Sequence, residues 1–338
     1  MVKRVLLTGS CGFIGHHVIE HLLKNTDWEI VGLDKLSYAS HGFERLRDIG
    51  CMDFNRVKIF TCDLRQPIQD FLAQEIGHID YVLHLAANTH VDKSITEPLE
   101  FLLDNTLGTV NLLEYLRIHL DIEKFIYFST DECFGPAPVG VNHKEGDRHN
   151  PSNPYSASKG SAEDFCVAYA NTYKLPLIIT STMNVVGERQ DKEKFVPLVI
   201  NNVLNDRVTY IHSNKNKTVS GSRFYIHARN VADALLFILT NTNEFLDIDD
   251  KSSGRFNIVG DKEITNLDLA KLIATTLGKE LKYEMIDFHS SRPGHDLRYA
   301  LDGGKLQRLG FAYKKTIEES IKKIIEWTLL PENVKWLK

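Results

Sequence analysis

A tyrosine and a lysine four residues apart are the first side chains of the sequence that suggest chemistry. Tyr155 and Lys159 begin and end the stretch YSASK, and in a helix this spacing places both on one face. A tyrosine hydroxyl has an ordinary pKa of about 10, so it is a poor base at neutral pH. A neighbouring ammonium stabilises the phenolate and lowers that pKa. The same spacing occurs by chance in many helices, so its meaning depends on its surroundings.

Two adjacent carboxyl groups form a second candidate. Asp131 and Glu132 follow Ser129 and Thr130 at the end of an apolar run. Adjacent carboxyls in a buried site tend to separate their pKa values, so that one ionises while its neighbour keeps the proton. Such a pair can supply an acid and a base to one reaction. The alternative interpretation is that the pair merely opens a polar loop.

Three evenly spaced glycines form a third candidate near the start of the chain. Gly9, Gly12 and Gly15 of TGSCGFIG lie between a predicted strand, residues 3–8, and a predicted helix, residues 13–24. The first glycine permits a tight turn, the second lets the backbone approach a pyrophosphate, and the third lets helix and sheet pack closely. The helix N-terminus favours an anion. This context predicts a dinucleotide site, the alternative being a purely structural turn.

Two aspartates that follow predicted strands refine the choice of dinucleotide. Asp34 lies about twenty residues after the glycines, where a carboxylate accepts hydrogen bonds from the adenine ribose and repels a 2′-phosphate. NAD is therefore favoured over NADP. Asp63 follows the third predicted strand and is a weaker candidate for the adenine amino group, since aspartate is common in turns.

The elements that must position these residues alternate along the first half of the chain. Apolar runs separated by helical periodicity predict a parallel sheet covered on both faces. The fold class is therefore α/β, a Rossmann-type doubly wound parallel sheet with a smaller α/β substrate-binding lobe. We expect an NAD-binding domain at residues 1–181, to which segments near 222–245 return, and a substrate lobe at 182–338. Strands are predicted at 29–33, 57–61, 81–86, 124–128 and 177–180, and helices at 97–119, 155–173, 194–204, 230–240, 266–277 and 316–327.

Composition excludes several other classes of protein. The formal net charge is −5 and there is no long basic block, so we expect no nucleic-acid partner. The sequence contains no run of 18 apolar residues, so we expect no membrane-spanning helix. The five cysteines show no metal-ligand spacing, and the histidines, including His16, His17 and His84, are scattered. We therefore expect free thiols, a cytoplasmic location and no metal site.

The motifs taken together resemble the extended short-chain dehydrogenase/reductase superfamily. Within its NAD-dependent epimerase/dehydratase family, FSTDECFG at residues 128–135 is similar to the Thr-Asp-Glu signature of nucleoside-diphosphate-glucose 4,6-dehydratases. The stretches LDKLSYAS, HVDKSI, NPYSASKGSAEDF and EKFVP agree with that family. Sugar epimerases and decarboxylases of the superfamily usually lack the Asp-Glu pair.

The resemblance implies a reaction and a role for each residue. Hydride would leave sugar C4 for NAD as Tyr155 accepts the 4-hydroxyl proton, water would be lost across C5 and C6, and hydride would return to C6. By the resemblance, Glu132 is the base at C5, Asp131 the acid that protonates the 6-hydroxyl, and Thr130 a hydrogen-bond partner of the 4-hydroxyl. Lys159 would also hold the nicotinamide ribose.

The resemblance also implies a cofactor site and a sugar-nucleotide site. The expected cofactor residues are Gly9, Gly12, Phe13, Ile14, Gly15, Asp34, Asp63, Leu64, Ala86, Ala87, Asn105, Ser129, Tyr155 and Lys159. The expected substrate residues are Asn184, Lys194, Phe195, Arg223, Asn257, Arg292 and His295. Family members usually pair through two long helices per subunit, so we expect a homodimer formed by residues 97–119 and 155–173.

Some positions depart from the family pattern and leave alternatives open. Val185 replaces a usual second asparagine, Asn88 stands where an acidic residue is typical, and Cys133-Phe134 replaces Val-Tyr. These departures leave the nucleotide base and the hexose undecided. A sugar-nucleotide 4-epimerase or a UDP-glucuronate decarboxylase would not need Asp131 and Glu132. A non-catalytic NAD-binding regulator would not need Tyr155 and Lys159.

Overall fold

The architecture is a central sheet of seven parallel strands with helices on both faces and a second, smaller lobe. A computed structural model describes residues 2–287 and 297–337. The strands of the sheet are β1 (Arg4–Thr8), β2 (Glu29–Asp34), β3 (Val57–Thr61), β4 (Tyr81–His84), β5 (Lys124–Thr130), β6 (Leu177–Thr182) and β11 (Arg255–Ile258). They lie in the order β11-β6-β5-β4-β1-β2-β3, so β2 and β3 extend the sheet on one side of β1, and the later strands extend it on the other side.

Short strand pairs and twelve α-helices complete the described part of the chain. The pairs are β7 (Val185–Val186) with β10 (Ile226–His227), β8 (Thr209–Ser213) with β13 (Tyr283–Asp287), and β9 (Ser222–Arg223) with β12 (Ile264–Thr265). The helices are α1 (Phe13–Asn25), α2 (Glu44–Asp48), α3 (Asp70–Ile76), α4 (Val91–Thr96), α5 (Pro98–Phe101), α6 (Gly108–His119), α7 (Pro154–Tyr173), α8 (Phe195–Leu204), α9 (Ala228–Asn241), α10 (Asn266–Thr276), α11 (Gly304–Arg308) and α12 (Ile317–Thr328).

The central strands of the sheet are buried on both faces because consecutive residues in them are apolar, as at Val5, Leu6 and Leu7 of β1. Val5 and Leu7 pack with one hydrophobic cluster, which includes Val18 of α1. Leu6 points the other way and packs with a second cluster, which includes Leu112 of α6. Successive strand residues face opposite sides, so this division confirms the predicted parallel sheet between two helical layers.

The second half of the chain contributes to both lobes. Helix α9 packs on α1, where Val231 and Leu235 join the cluster of Val18 and Leu22, and β11 pairs with β6 at the edge of the large sheet. Helices α8, α10 and α12 enclose a separate apolar cluster. None of the helices in the described ranges is long and apolar enough to cross a membrane.

The predicted helix at residues 97–119 is divided in the structure. Pro98 begins the short helix α5, and Leu102–Leu107 forms a π-helical segment before α6. Such π-bulges insert a residue into the helical ladder and often occur at functional sites. The π-helical segment places Asn105 in the protein interior, where it is 1% exposed. Helical periodicity in the sequence does not predict this segment.

Candidate active site

The glycine loop packs so closely that side chains are excluded from it. Gly9 has φ +71°, and a Cβ there would lie 2.9 Å from the Ala86 nitrogen. A Cβ at Gly15 would collide with the Gly9 carbonyl oxygen. Gly12 is the N-cap of α1 and has no side chain to cap it. The loop therefore presents backbone N–H groups at a helix N-terminus, as an anion site requires.

Asp34 both faces the cavity beside this loop and braces the loop itself. One carboxylate oxygen accepts the Cys11 N–H at 2.9 Å and the other accepts the Leu36 N–H at 2.8 Å. Burial raises the pKa of Asp34, and these hydrogen bonds oppose the rise. Each oxygen keeps further acceptor capacity. Asp34 can therefore hold the loop and still accept ligand hydroxyls.

A cavity of about 190 Å³ lies over the glycine loop at the carboxyl ends of β1 to β4. Ten predicted cofactor residues line it: Gly9, Gly12, Phe13, Ile14, Gly15, Asp34, Asp63, Leu64, Ala86 and Ala87. Lys194, predicted on the substrate side, lines it too. Sequence reasoning missed Gln190 and Asp191, which also line the cavity although they are distant from the glycine loop in sequence. Only the folded chain brings these two segments together.

The carboxylate of Asp63 is engaged by a neighbouring guanidinium. Arg65 donates to it at 2.8 Å through Nε and at 2.6 Å through Nη2. Burial raises the pKa of Asp63, but the Arg65 hydrogen bonds outweigh burial and lower it. Asp63 therefore lines the cavity while paired with Arg65. Its position after a predicted strand did not indicate this ion pair.

Asn105 lies behind the cavity wall and outside the lining. Its Oδ1 accepts the Asn88 N–H at 2.7 Å, and its Nδ2 donates to the Asn88 carbonyl oxygen at 3.0 Å and to the Ser158 hydroxyl at 2.9 Å. Asn88 itself lines the cavity. The direct role of Asn105 in the structure is thus to hold this wall against α7.

The two adjacent carboxyl groups follow directly from the end of β5. Thr130 caps a 3₁₀ turn, Asp131–Phe134, by accepting the Glu132 N–H, and its hydroxyl donates to Asp131 Oδ1 at 3.0 Å. Asp131 Oδ2 is buried with no hydrogen-bond partner among the described residues. Glu132 Oε2 accepts a hydrogen bond from Asn153 at 3.1 Å. The pair is thus held in place while one oxygen remains available.

Burial raises the pKa of both carboxyl groups toward neutral pH. It raises the pKa of Asp131 to about 6. Burial and the Asp131 charge together raise the pKa of Glu132 to about 7. Because each carboxyl lies beside the charge of the other, both can change protonation near neutral pH. The acid and base roles that the resemblance implies stay a prediction.

Tyr155 and Lys159 share the first turns of α7, which begins with a capping box at Asn153. Burial, and then the Glu132 charge, raise the pKa of Tyr155 well above its ordinary value. Lys159 donates to the Phe128 carbonyl oxygen at 2.8 Å, and burial lowers its pKa to about 8. Burial and a nearby carboxylate therefore oppose phenolate formation at Tyr155, and the lowering of its pKa by Lys159 stays a prediction.

Ser129 contacts a buried network that the sequence did not indicate. Its hydroxyl donates to Glu163, which also pairs with His149 at 3.2 Å and with Arg255 at 2.8 Å. Burial raises the pKa of Glu163, but the His149 and Arg255 contacts outweigh burial and hold it at about 2. Ser129 thus lies outside the cavity lining and anchors the end of β5.

The predicted substrate residues are distributed among several environments. Arg223 is 5% exposed, donates to the carbonyl oxygens of Ser222 and Leu297, and lies over the Tyr299 ring. Phe195 stacks on Tyr225, and Asn184 is exposed. Asn257 is 1% exposed and donates to the carbonyl oxygens of His143 and Asp302, so it joins two loops. Arg292 and His295 lie outside the described residues.

Residues 5–258 match the family described as the NAD dependent epimerase/dehydratase family. The chain belongs to this family. The sequence-based prediction of the family, its NAD cofactor and its doubly wound sheet is confirmed by the match and by the strand order.

Relatives of this epimerase/dehydratase chain align with nearly all of its residues. The dTDP-glucose 4,6-dehydratase of Escherichia coli is 36% identical, with 99% of this chain and 94% of the relative covered. The dTDP-D-glucose 4,6-dehydratase of Mus musculus is 35% identical, with 96% and 88% covered. The dTDP-glucose 4,6-dehydratase of Streptomyces venezuelae, solved with NAD bound, has a TM-score of 0.85 at 28% identity and 99% coverage of both chains. The UDP-glucose 4-epimerase of Thermus thermophilus, complexed with NAD, has a TM-score of 0.82 at 27% identity, with 96% and 98% covered.

Proposed function

We propose that the protein converts a nucleoside-diphosphate hexose, either dTDP-glucose or UDP-glucose, into the 4-keto-6-deoxy sugar nucleotide by removing water. The observation that carries this proposal is the pair of adjacent carboxyl groups at the end of β5, the buried Asp131 and the half-buried Glu132. Burial raises the pKa of both toward neutral pH, which suits a general acid and base. Full-length relatives named dTDP-glucose 4,6-dehydratase support the same reaction.

The cavity over the glycine loop fits NAD. Gly9 and Gly15 leave no room for side chains, and Asp34 turns a carboxylate toward the space beyond them. The loop N–H groups would hold the pyrophosphate and Asp34 the adenine ribose. Bound NAD would serve as the hydride acceptor for C4 and the hydride donor for C6, and C5 would take back a proton as the hydride arrives. Lys159 would hold the nicotinamide ribose.

Tyr155 would accept the proton of the 4-hydroxyl, assisted by Thr130. The Glu132 charge raises the pKa of Tyr155, so a protonated Glu132 makes the phenolate easier to form. Burial and the Asp131 charge raise the pKa of Glu132 toward neutral pH. Glu132 can therefore hold a proton while Tyr155 accepts that of the 4-hydroxyl.

The elimination at C5 and C6 needs the proton on Asp131 and an ionised Glu132. The Arg223 charge lowers the pKa of Asp131, so a diphosphate bound to Arg223 would offset this charge and raise that pKa. Glu132 also accepts the Asn153 hydrogen bond at 3.1 Å, which favours its ionised form. Substrate binding would therefore favour protonated Asp131 as the acid and Glu132 as the base.

Incubation with single sugar nucleotides tests the proposed function. The protein would be given dTDP-glucose, UDP-glucose, CDP-glucose or GDP-mannose separately, with mass spectrometry for the loss of one water. We expect that loss with dTDP-glucose or UDP-glucose. A product of unchanged mass would indicate an epimerase, and no turnover of any of the four would overturn the proposal.

The proposed arrangement of lobes and subunits follows the same family pattern. Residues 1–181, with the returning segment near 222–245, would bind NAD, and residues 182–338 would bind the sugar nucleotide. Two protomers would pair through the helices at 97–119 and 155–173, whose surface carries the exposed side chains of Leu99, Leu107 and Phe165. Contiguous exposed apolar surface marks interaction sites. Sedimentation showing only monomer at micromolar concentration would contradict the dimer.

The proposed cellular location is the cytoplasm. The cysteines Cys11, Cys51, Cys62, Cys133 and Cys166 are free, which suits a reducing compartment. Fractionation of the native host tests this, and recovery of the protein outside the cytoplasm would contradict it.

A further inference from the structure

Asn153 connects two parts of the site that are distant in sequence. It is the N-cap of α7, where its Oδ1 accepts the Ser156 N–H at 2.9 Å, and its own N–H donates to the Ser156 hydroxyl at 3.2 Å. The side chain is buried, with the residue only 6% exposed. On its other side, Nδ2 donates to Glu132 Oε2 at 3.1 Å.

The capping bond fixes which way the Asn153 amide faces. The Ser156 N–H is a donor, so the amide oxygen must face it. The amide nitrogen is then left facing Glu132, where it can only donate. A carboxylate at this position could cap the helix but would repel Glu132. A serine could also cap the helix, but its side chain is one bond shorter.

We propose that Asn153 is a positioning residue, which ties the carboxylate of Glu132 to the first turn of the helix that carries Tyr155. The inference rests on the proposed function, because it assigns Glu132 as the base. A backbone hydrogen bond joins the same two segments, because the Asn150 N–H donates to the Cys133 carbonyl oxygen at 2.9 Å. The segment that ends at Asn153 therefore lies along the turn that begins at Asp131.

The hydrogen bond from Asn153 opposes the effects of burial and of the Asp131 charge on the pKa of Glu132, and acts in the same direction as two nearby cations. Burial and the Asp131 carboxylate, on the same turn, both raise the pKa of Glu132. Arg223 of β9 and Lys194, the N-cap of α8, lower it by their charge. Asn153 is the largest of the groups that lower it, because a donated hydrogen bond favours the ionised form. Tyr155, on α7, also faces Glu132.

The first test measures the ionisation of Glu132 directly, in the full-length protein with NAD bound and no sugar. Infrared difference spectra between each protein and its Glu132→Gln counterpart would follow the carboxyl stretch of Glu132 against pH. We expect Asn153→Ser to move the midpoint upward by about one pH unit, the size of a lost hydrogen bond to a charged group. Asn153→Asp keeps the cap and should move it further.

Ser156→Ala is the matched control. It breaks the other half of the capping box and leaves the Asn153 donor in place, so the Glu132 midpoint should stay at the wild-type value. The thermal unfolding midpoint should change little in Asn153→Ser, because serine caps a helix about as well as asparagine. A shift of the Glu132 midpoint in Ser156→Ala as large as in Asn153→Ser would show a merely structural role and overturn the proposal.

The second test follows exchange of the sugar C5 hydrogen with deuterated water. In Asn153→Ser it should fall about tenfold below neutral pH, where fewer Glu132 groups are ionised, and recover as the pH rises. An unchanged Glu132 midpoint in Asn153→Ser overturns the proposal even in an active dehydratase. A wild type that exchanges no C5 hydrogen overturns the proposed function instead, and the infrared titration still decides whether Asn153 holds Glu132.

Discussion

Two buried sets of acidic groups lie at the carboxyl end of β5, and they have opposite electrostatic character. Ser129 contacts Glu163, which is 0% exposed and whose pKa His149 and Arg255 hold at about 2. The next residue, Thr130, contacts Asp131, and burial raises the pKa of that carboxyl to about 6. Successive strand residues point to opposite sides. The comparison teaches that partners, and not burial alone, decide whether a buried carboxyl is a fixed charge or a titrating group.

The difference suits two separate tasks. A carboxylate between two cations is stable and does not exchange protons at neutral pH, which is what an anchor for β5 and α7 requires. A carboxyl with few partners stays ready to give or take a proton, which is what elimination requires. We expect substitutions in the titrating pair to change chemistry and substitutions in the Glu163 network to change stability.

The largest effect is expected in the titrating pair. Glu132→Gln should still oxidise C4 but lose exchange of the C5 hydrogen with solvent, and Asp131→Asn should keep some exchange yet fail to expel water. General acid or base catalysis contributes about 10²–10⁴-fold, so each variant should dehydrate the sugar slower by that factor. Mass spectrometry of the sugar, sampled over time in deuterated water, measures both steps.

The same experiment decides the roles within the pair. If Asp131→Asn abolishes exchange while Glu132→Gln preserves it, the base is Asp131 and the two proposed roles are reversed. Near wild-type dehydration by both variants would remove the basis for the comparison, because the pair would then only open a loop.

The next effect concerns the Glu163 network. Glu163→Gln leaves His149 and Arg255 without their buried carboxylate and should cost about 3–5 kcal/mol of unfolding free energy at neutral pH. The pKa of Glu163 is depressed to about 2, so its contribution is complete above its ordinary value and is lost as the pH falls toward 2. Urea unfolding at several pH values should therefore show a gap between wild type and variant that narrows in acid.

Glu326→Gln is the matched control for the Glu163 variant. Glu326 lies 3.9 Å from Lys322 on the exposed face of α12, and such pairs contribute about 0–1 kcal/mol. An equal loss of unfolding free energy in the two variants would show that Glu163 is no more important than a surface carboxylate.

The smallest effect is expected at the cofactor end, where two aspartates differ in the same way. Asp34 faces the cavity and accepts hydrogen bonds from two backbone N–H groups, whereas Asp63 is paired with Arg65. Asp34→Asn should weaken NAD binding about tenfold, the loss of one hydrogen bond to a charged group, and should reduce the preference over NADP. Fluorescence titration of both cofactors measures this. Asp63→Asn should change the preference less, and a larger change there would reverse the proposed assignment.

Local patterns predicted much of this molecule, whereas contacts between distant segments were missed. The strand, three glycines and helix at the N-terminus are neighbours in sequence, so their spacing sufficed to predict the loop. Glu163 instead meets Arg255 across 92 positions, and no periodicity links the two. The π-helical segment that turns Asn105 behind the cavity wall likewise depends on contacts with Asn88 and Ser158.

The pKa values of the site also exceeded what the sequence could predict. The pair Asp131 and Glu132 was predicted to separate its pKa values, but the groups that shift them, Asn153, Arg223 and Lys194, come from other elements. The effect of Lys159 on the pKa of Tyr155 stays a prediction. Spacing on a helix places two side chains on one face, but it does not indicate the burial and the Glu132 charge that raise the pKa of Tyr155.

Transfer of deuterium within the sugar tests the central claim most directly. The protein with NAD bound would be given dTDP-glucose, and separately UDP-glucose, carrying deuterium at C4. The proposed mechanism predicts a product that has lost one water and carries the deuterium at C6, because hydride leaves C4 and returns to C6 within one cycle. A product of unchanged mass with deuterium still at C4 and inverted configuration there would contradict the account and assign the protein as an epimerase.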